Sequence, residues 1–209
     1  MIVYTIIFNN YDTLKDPSII DPNCRYICFS NTPKISNVWE YRFRNMLSVR
    51  DQRSLKIMAP FWEFFGEDTL YIDGSMQIVC KPSEFCKEMD KLTVLEHRET
   101  DCLYQEAGWM IERERDSFNS LANQVKYYRE LRHPKHTGLA KNGWMFRPKY
   151  DPSKDNREDY YQWLMDVHRF SIRDQISFGF RFRDKYDTLP YNRFRTGFKL
   201  KDHDGKTKN

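Results

Sequence analysis

The sequence predicts an α/β domain built on a mixed sheet, and three observations carry that expectation. Short apolar runs of strand type crowd the first half of the 209 residues, helical patterns alternate with them, and helical patterns dominate the second half. A chain of this length makes one domain with ample buried core.

The elements follow in order. Residues 2–8 read as a buried first strand that runs into the polar turn Asn9-Asn10-Tyr11-Asp12, a place where a nucleotide can sit. Residues 25–29 form a second strand, and residues 38–43 alternate like a third. A helical stretch follows over 48–64, interrupted by Pro60, with Arg53 and Lys56 three apart on one face. The apolar run Leu70-Tyr71-Ile72 then stops on Asp73-Gly74-Ser75, and residues 76–79 and 94–96 are further short strands. Helices are expected over 101–115 and 116–132, the second with Phe118, Leu121, Val125 and Tyr128 as its apolar stripe and Pro134 as its stop. Residues 144–147 read as a strand and 151–158 as a charged loop, while Tyr160, Trp163, Leu164 and Val167 mark another amphipathic helix. Residues 199–209 have almost no apolar content and read as a flexible polar tail.

Composition narrows the function. The net charge of +4, from 34 basic and 30 acidic residues, is too mild for a dedicated nucleic-acid binder and leaves room for a small anionic ligand. Fifteen Phe, 13 Tyr and 5 Trp predict an aromatic core and an aromatic-lined cleft. Cys24, Cys28, Cys80, Cys86 and Cys102 lack paired C-x-x-C spacing, which argues against a zinc knuckle or a disulfide framework and for a reducing compartment. The apolar start is too short to span a bilayer and has no basic n-region, so a cytoplasmic location is expected. No G-x-S-x-G, P-loop or H-E-x-x-H signature supports a serine hydrolase, P-loop kinase or zincin.

Several polar groups can carry chemistry, each with an ordinary alternative. Asp73 ends a buried strand, where a carboxylate can meet a sugar hydroxyl or a phosphate-bound metal. Asp73-Gly74 is equally a hairpin signal, with residues 76–79 as the returning strand. Arg53 and Lys56 are either a solvated helix face or the groups that reach a diphosphate. His97 is a metal ligand or a structural histidine, and Asp101 and Glu106 suit the start of a helix with or without a function. Ser171-Ile172-Arg173-Asp174 fits a capping box, unless Asp174 is aimed into the cleft.

Taken in order, Tyr4-Thr5-Ile6-Ile7-Phe8 with Tyr11-Asp12, Cys28-Phe29-Ser30, Lys56 with Pro60, Tyr71-Ile72-Asp73-Gly74, His97-Arg98 with Asp101-Cys102, and Glu106-Ala107 resemble one family. So do Gln124 with Tyr127-Tyr128, Gly138-Leu139, Arg147, Trp163 and the run Asp174-Gln175-Ile176-Ser177-Phe178 after Arg173. It is the glycosyltransferase-like domain of plant mucilage-related and turgor-regulation proteins, which also occurs in microbes and viruses. The resemblance covers residues 2–182 and implies a GT-A type fold over 1–198, with a nucleotide-binding half over about 1–80 and an acceptor half over about 81–198. It implies a nucleotide-sugar donor, with UDP as the expected nucleotide. It puts the first strand (Thr5, Phe8) and Asp12 near the base and ribose, and Arg53 and Lys56 near the diphosphate, with Arg147 in the same donor-binding set.

By the same resemblance Asp73 falls where related transferases keep an Asp-x-Asp metal motif, and Asp174-Gln175 is similar to the pair that glycogenin-like retaining transferases use on the donor sugar. Position 71 is Tyr, so one of the two motif carboxylates is absent. Coordination of Mn²⁺ or Mg²⁺ then rests on Asp73 and diphosphate oxygens, with His97 or waters completing the shell. The implied activity is hexose transfer to an acceptor hydroxyl, with retention suggested by Asp174-Gln175. If the outcome is inversion, Asp174 or Glu106 is the general base. The acceptor is a glycan, or a modified base in viral DNA, the latter suggested by Arg181, Arg183, Arg193 and Arg195 interleaved with Phe182, Tyr191, Phe194 and Phe198. An amphipathic surface element explains that interleaving equally well, and a nucleotide-sugar-binding module without catalysis is the remaining rival.

Overall fold

Strand β1 (Ile2–Ile7) is buried at every position because it lies inside a sheet covered on both faces. In the computed structural model, which describes residues 1–151 and 157–201, it pairs in parallel with β2 (Arg25–Ser30) and with β4 (Thr69–Ile72). β2 in turn carries β3 (Glu40–Phe43) in parallel. β7 (Ala140–Arg147) joins β4 antiparallel, β6 (Thr93–Glu96) joins β7 antiparallel, and β8 (Asp187–Leu189) closes the order β3-β2-β1-β4-β7-β6-β8. The mixed sheet is therefore as the sequence predicts, in a single domain.

Alternation along β1 divides the core. Tyr4 and Ile6 face helices α1 (Val49–Trp62), α5 (Arg157–Arg169) and α6 (Asp174–Arg181), packing with Met58, Trp163 and Phe178. Val3 and Ile7 face the other way, toward Trp39, Trp144, Phe194 and Phe198. α1 begins on a capping box that the sequence reading did not single out, with Ser48 and Asp51 bonded reciprocally, and it ends two residues after Pro60. α3 (Leu103–Glu112) and α4 (Phe118–Glu130) are shorter than their patterns suggested, and Phe118 is 63 % exposed, so it does not belong to the apolar stripe.

Two further expectations are corrected. The Asp73-Gly74 turn is not a hairpin, because β5 (Met76–Ile78) pairs with β9 (Phe198–Leu200) in a separate two-stranded sheet and not with β4. That pairing also takes Lys199 and Leu200 out of the expected tail, whose remainder over 202–209 lies outside the described residues. The expected charged loop over 151–158 lies outside them at 152–156, and Arg157 and Glu158 already belong to α5. Among the described residues the short helices α2 (Pro82–Phe85) and α7 (Tyr191–Gly197) complete the architecture, and no helix is long and apolar enough to cross a membrane.

This topology gathers chain ends at one edge. From β1 the chain steps to β2 and β3 on one side and to β4 on the other, so a crevice opens beyond the carboxyl ends of β1 and β4. β6 and β8 also finish there, and the antiparallel β7 starts there.

Candidate active site

Asp73 leaves β4 at that edge and is held on three sides. Its backbone N–H donates to the Gly143 carbonyl (2.8 Å), which extends the ladder one step past Ile72 and Trp144. Tyr71 Oη donates to Asp73 Oδ1 at 2.7 Å. Asp73 Oδ2 lies over Gly143, where a Cβ would come within 2.6 Å of it, so only glycine leaves room for the carboxylate. Gly74 admits a similar approach from the neighbouring strand end, since a Cβ there would stand 3.0 Å from Asp12 Oδ2. Burial and the Asp73 carboxylate push the Tyr71 phenol well above its ordinary range, so it remains a neutral donor.

Behind Asp73 sits a buried ion pair. Lys56 Nζ lies 2.7 Å from Asp174 Oδ2 and 4.8 Å from the centroid of the Tyr71 ring, with 2 % of the Lys56 side chain exposed. Arg53, one turn earlier on α1 and 18 % exposed, brings Nε to 3.5 Å from Asp174 Oδ1. Burial works against the Asp174 charge, but Lys56 and Arg53 outweigh it and hold the carboxyl below the usual carboxylate range. Burial likewise works against Arg53, and Asp174, Tyr71 and Asp73 outweigh it, raising its pKa. Burial lowers the pKa of Lys56, opposed by Asp174 and Asp73.

The capping-box expectation fails here. Ser171 Oγ donates to Asp116 Oδ2 (2.6 Å), α6 starts on Arg173 without a side-chain cap, and Asp174 turns to Lys56. Trp163 Nε1 and Ser177 Oγ both donate to the Asp174 carbonyl, at 2.8 and 3.2 Å, which fixes the helix start. Gln175 follows with Nε2 buried and without a hydrogen-bond partner.

A cleft of about 720 Å³ opens in front of these groups, lined by Asp73, Gly143 and Gln175 on one side and His97, Glu106 and Trp109 on the other. His97 Nδ1 is reached by the Thr100 N–H at 3.1 Å and lies 3.4 Å from Glu99 Oε2, while Nε2 faces Glu106 Oε2 at 3.5 Å. Asn142 also lines this cleft, 3 % exposed, with neither amide atom hydrogen-bonded. Sequence reading passed over Asn142 and Trp109. A polar residue at the start of a strand reads as solvated, and one Trp on a helix reads as core.

Three expected residues stand away from Asp73, and a fourth, Asp12, stays at the strand edge that carries it. Thr5 is buried in the middle of β1, its hydroxyl without a partner, and Phe8 packs on the core. Asp12 sits beside Gly74 at the β1 end, 7 % exposed. Arg147 is the clearest correction. It faces Thr69 at the opposite end of β4 and donates to Tyr4 Oη (2.6 Å) and the Lys56 carbonyl (3.2 Å). Four residues of β4–β7 ladder, about 13 Å, separate it from Asp73. Arg147 borders a second cavity of about 550 Å³ at that far end, with Phe61, Tyr150 and Tyr160.

The donor set does not fit a divalent metal well. Among the described residues no group of three His, Cys, Asp or Glu side chains is placed to hold one. Asp73 Oδ1 is engaged by Tyr71. Metallation of His97 at Nε2 would need a proton on Nδ1, against the Thr100 N–H that already points there.

No family model matches the chain, and no curated protein does. The architecture, a parallel nucleotide-type half merged into an antiparallel one with a carboxylate at the β4 end, is the GT-A glycosyltransferase fold. Among solved structures the chain is similar to the galactosyltransferase LgtC in complex with donor and acceptor sugar analogues (TM-score 0.52, 11 % identity, 90 % of this chain and 73 % of that one). It is similar also to WbbM, a bifunctional glycosyltransferase in its apo structure (TM-score 0.51, 10 % identity, 90 % of this chain), of which it spans 38 %.

Proposed function

We propose that the chain is a glycosyltransferase that moves a hexose from a UDP-sugar to a hydroxyl of an acceptor glycan. The observation that carries this is the buried Lys56–Asp174 pair, joined by Arg53 from α1 and lying behind the strand end that presents Asp73. Burying such a pair is worth little for stability alone, and Asp73 and Gln175, the latter next to Asp174, line a space large enough for a sugar. The fold shared with LgtC, described with donor and acceptor sugar analogues, supports the same reading, as does the resemblance to the plant mucilage-related domain.

In this reading Arg53 hydrogen-bonds the donor diphosphate, and Lys56 holds Asp174 ionised and aimed. Asp174, Gln175 and Asp73 orient the sugar through its hydroxyls. The bond from the anomeric carbon to the diphosphate oxygen breaks with its electron pair on that oxygen, where Arg53 stabilises the charge. The acceptor oxygen bonds the anomeric carbon, and its proton passes to Glu106, which His97 holds on the opposite wall. Asp174 is a poor base, because two cations stabilise its ionised form.

A glycan acceptor is favoured over DNA by the state of the C-terminal arginines and aromatics. Arg181 is paired with Asp166 through two hydrogen bonds of 2.7 Å, and Arg193 lies over Phe85. Phe182, Phe194 and Phe198 are fully buried and unable to stack on bases.

The test is incubation of the purified chain with a panel of nucleotide sugars, with and without Mn²⁺, followed by slow donor hydrolysis. Cleavage of one UDP-hexose and a thermal shift with UDP are expected. No cleavage of any donor together with no shift overturns the reading, and a shift without cleavage leaves a binding module.

A further inference from the structure

We propose that this chain neutralises its donor diphosphate with fixed cations and works without a divalent metal, Arg53 touching the diphosphate and Lys56 positioning the site from behind. The inference rests on the nucleotide-sugar reading of the same cleft. A lone carboxylate and diphosphate oxygens suffice for Mg²⁺ in many enzymes, so the missing second Asp does not decide the matter. What surrounds Asp73 does.

The first consideration is charge. Arg53 and Lys56 face Asp174 at 3.5 and 2.7 Å, and the field of Asp73 also reaches both cations. Arg173 also acts on Asp174 and Arg53, so three cations stand against the two carboxylates. A divalent ion placed on Asp73 would therefore meet two positive side chains in a partly buried, weakly screened setting. A diphosphate placed there finds those cations in position, with an arginine suited to forked hydrogen bonds. Arg53 Nε is buried against Asp174 Oδ1 at 3.5 Å without a hydrogen bond to it, while 18 % of the Arg53 side chain remains exposed.

The second consideration is geometry. Tyr71 holds Asp73 Oδ1 with a neutral hydroxyl, while its ring backs Lys56 at 4.8 Å. One residue thus engages the carboxylate oxygen and seats the ammonium. Asp73 Oδ2 is pressed toward Gly143, and His97 turns Nε2 to Glu106. Asp73 is thereby arranged as an acceptor for sugar hydroxyls.

The experiment compares wild type with Arg53→Met. UDP affinity is measured by calorimetry, and donor cleavage by product release, each in EDTA and in Mn²⁺. For the wild type, affinity and rate are expected to agree within about twofold between the two conditions. Arg53→Met is expected to bind UDP on the order of tenfold to a hundredfold more weakly in EDTA, the loss of a charge-assisted hydrogen bond. Circular dichroism confirms that the variant is folded. Wild-type cleavage abolished by EDTA and restored by Mn²⁺, or Arg53→Met binding UDP as tightly as wild type, overturns the proposal. UDP binding absent under both conditions would instead bring down the nucleotide-sugar reading, and this proposal with it.

Discussion

The two ends of β4 place buried cations in contrasting company. At the amino end Arg147 meets a phenol and a backbone carbonyl, neutral partners that tie β7 to β1 and α1. At the carboxyl end Lys56 and Arg53 meet a carboxylate, and buried atoms lack hydrogen-bond partners at both ends, Asn142 and Gln175 Nε2 beside the cleft and Arg147 Nε and Thr69 Oγ1 at the far end. Each end has a cavity, of about 550 and 720 Å³. A buried charge therefore does not mark a site. The distinction is the company the charge keeps, a carboxylate at the carboxyl end and neutral partners at the amino end.

Substitutions break or sharpen this contrast. The largest effect is expected from Asp73→Asn, with donor cleavage reduced by about a hundredfold or more and the melting temperature nearly unchanged, since the side chain is only half-buried. Activity close to wild type would return the segment to being a turn. Asp174→Asn is expected to lower both activity and stability, the latter by about 3 kcal/mol, because it leaves Lys56 buried without its counter-charge. The pH dependence has a definite sign. The Asp174 contribution is complete above the unfolded-state pKa of about 3.9 and disappears as pH falls through its lower folded value. The stability gap between wild type and variant should therefore narrow in acid denaturation below about pH 4 and stay constant near neutrality.

Arg147→Met makes the reverse case. Loss of about 2 kcal/mol in urea unfolding is expected, from two buried acceptors left with fewer donors, with kcat/KM close to wild type below the melting range. A selective loss of UDP binding there would restore Arg147 to the donor site. Smaller again is Gly143→Ala, whose methyl group displaces the Asp73 carboxylate and should lower kcat/KM by about tenfold with little change in melting temperature.

The contrast also explains what the sequence could reveal. Asp73 was legible because a strand and the residue ending it are contiguous. Asp174 was named through the resemblance but competed with a convincing local pattern, Ser171 to Asp174, which Asp116 disrupts by accepting from Ser171. The hairpin failed for a similar reason, since Met76–Ile78 finds its partner in Phe198–Leu200, far along the chain. Arg147 was misplaced because its position depends on β7 running antiparallel to β4, which an apolar strand pattern does not encode. Tyr71 was visible as a departure from a motif, whereas its bond to Asp73 and its contact with Lys56 needed the assembled sheet.

The most direct measurement is a UDP-sugar titration of the ¹⁵N-labelled chain, following backbone amides at both ends of β4. The account predicts saturable shifts at Asp73, Gly143 and Gln175, with Phe61, Tyr150 and Tyr160 around the second cavity unmoved. Shifts confined to the Arg147 end would contradict it.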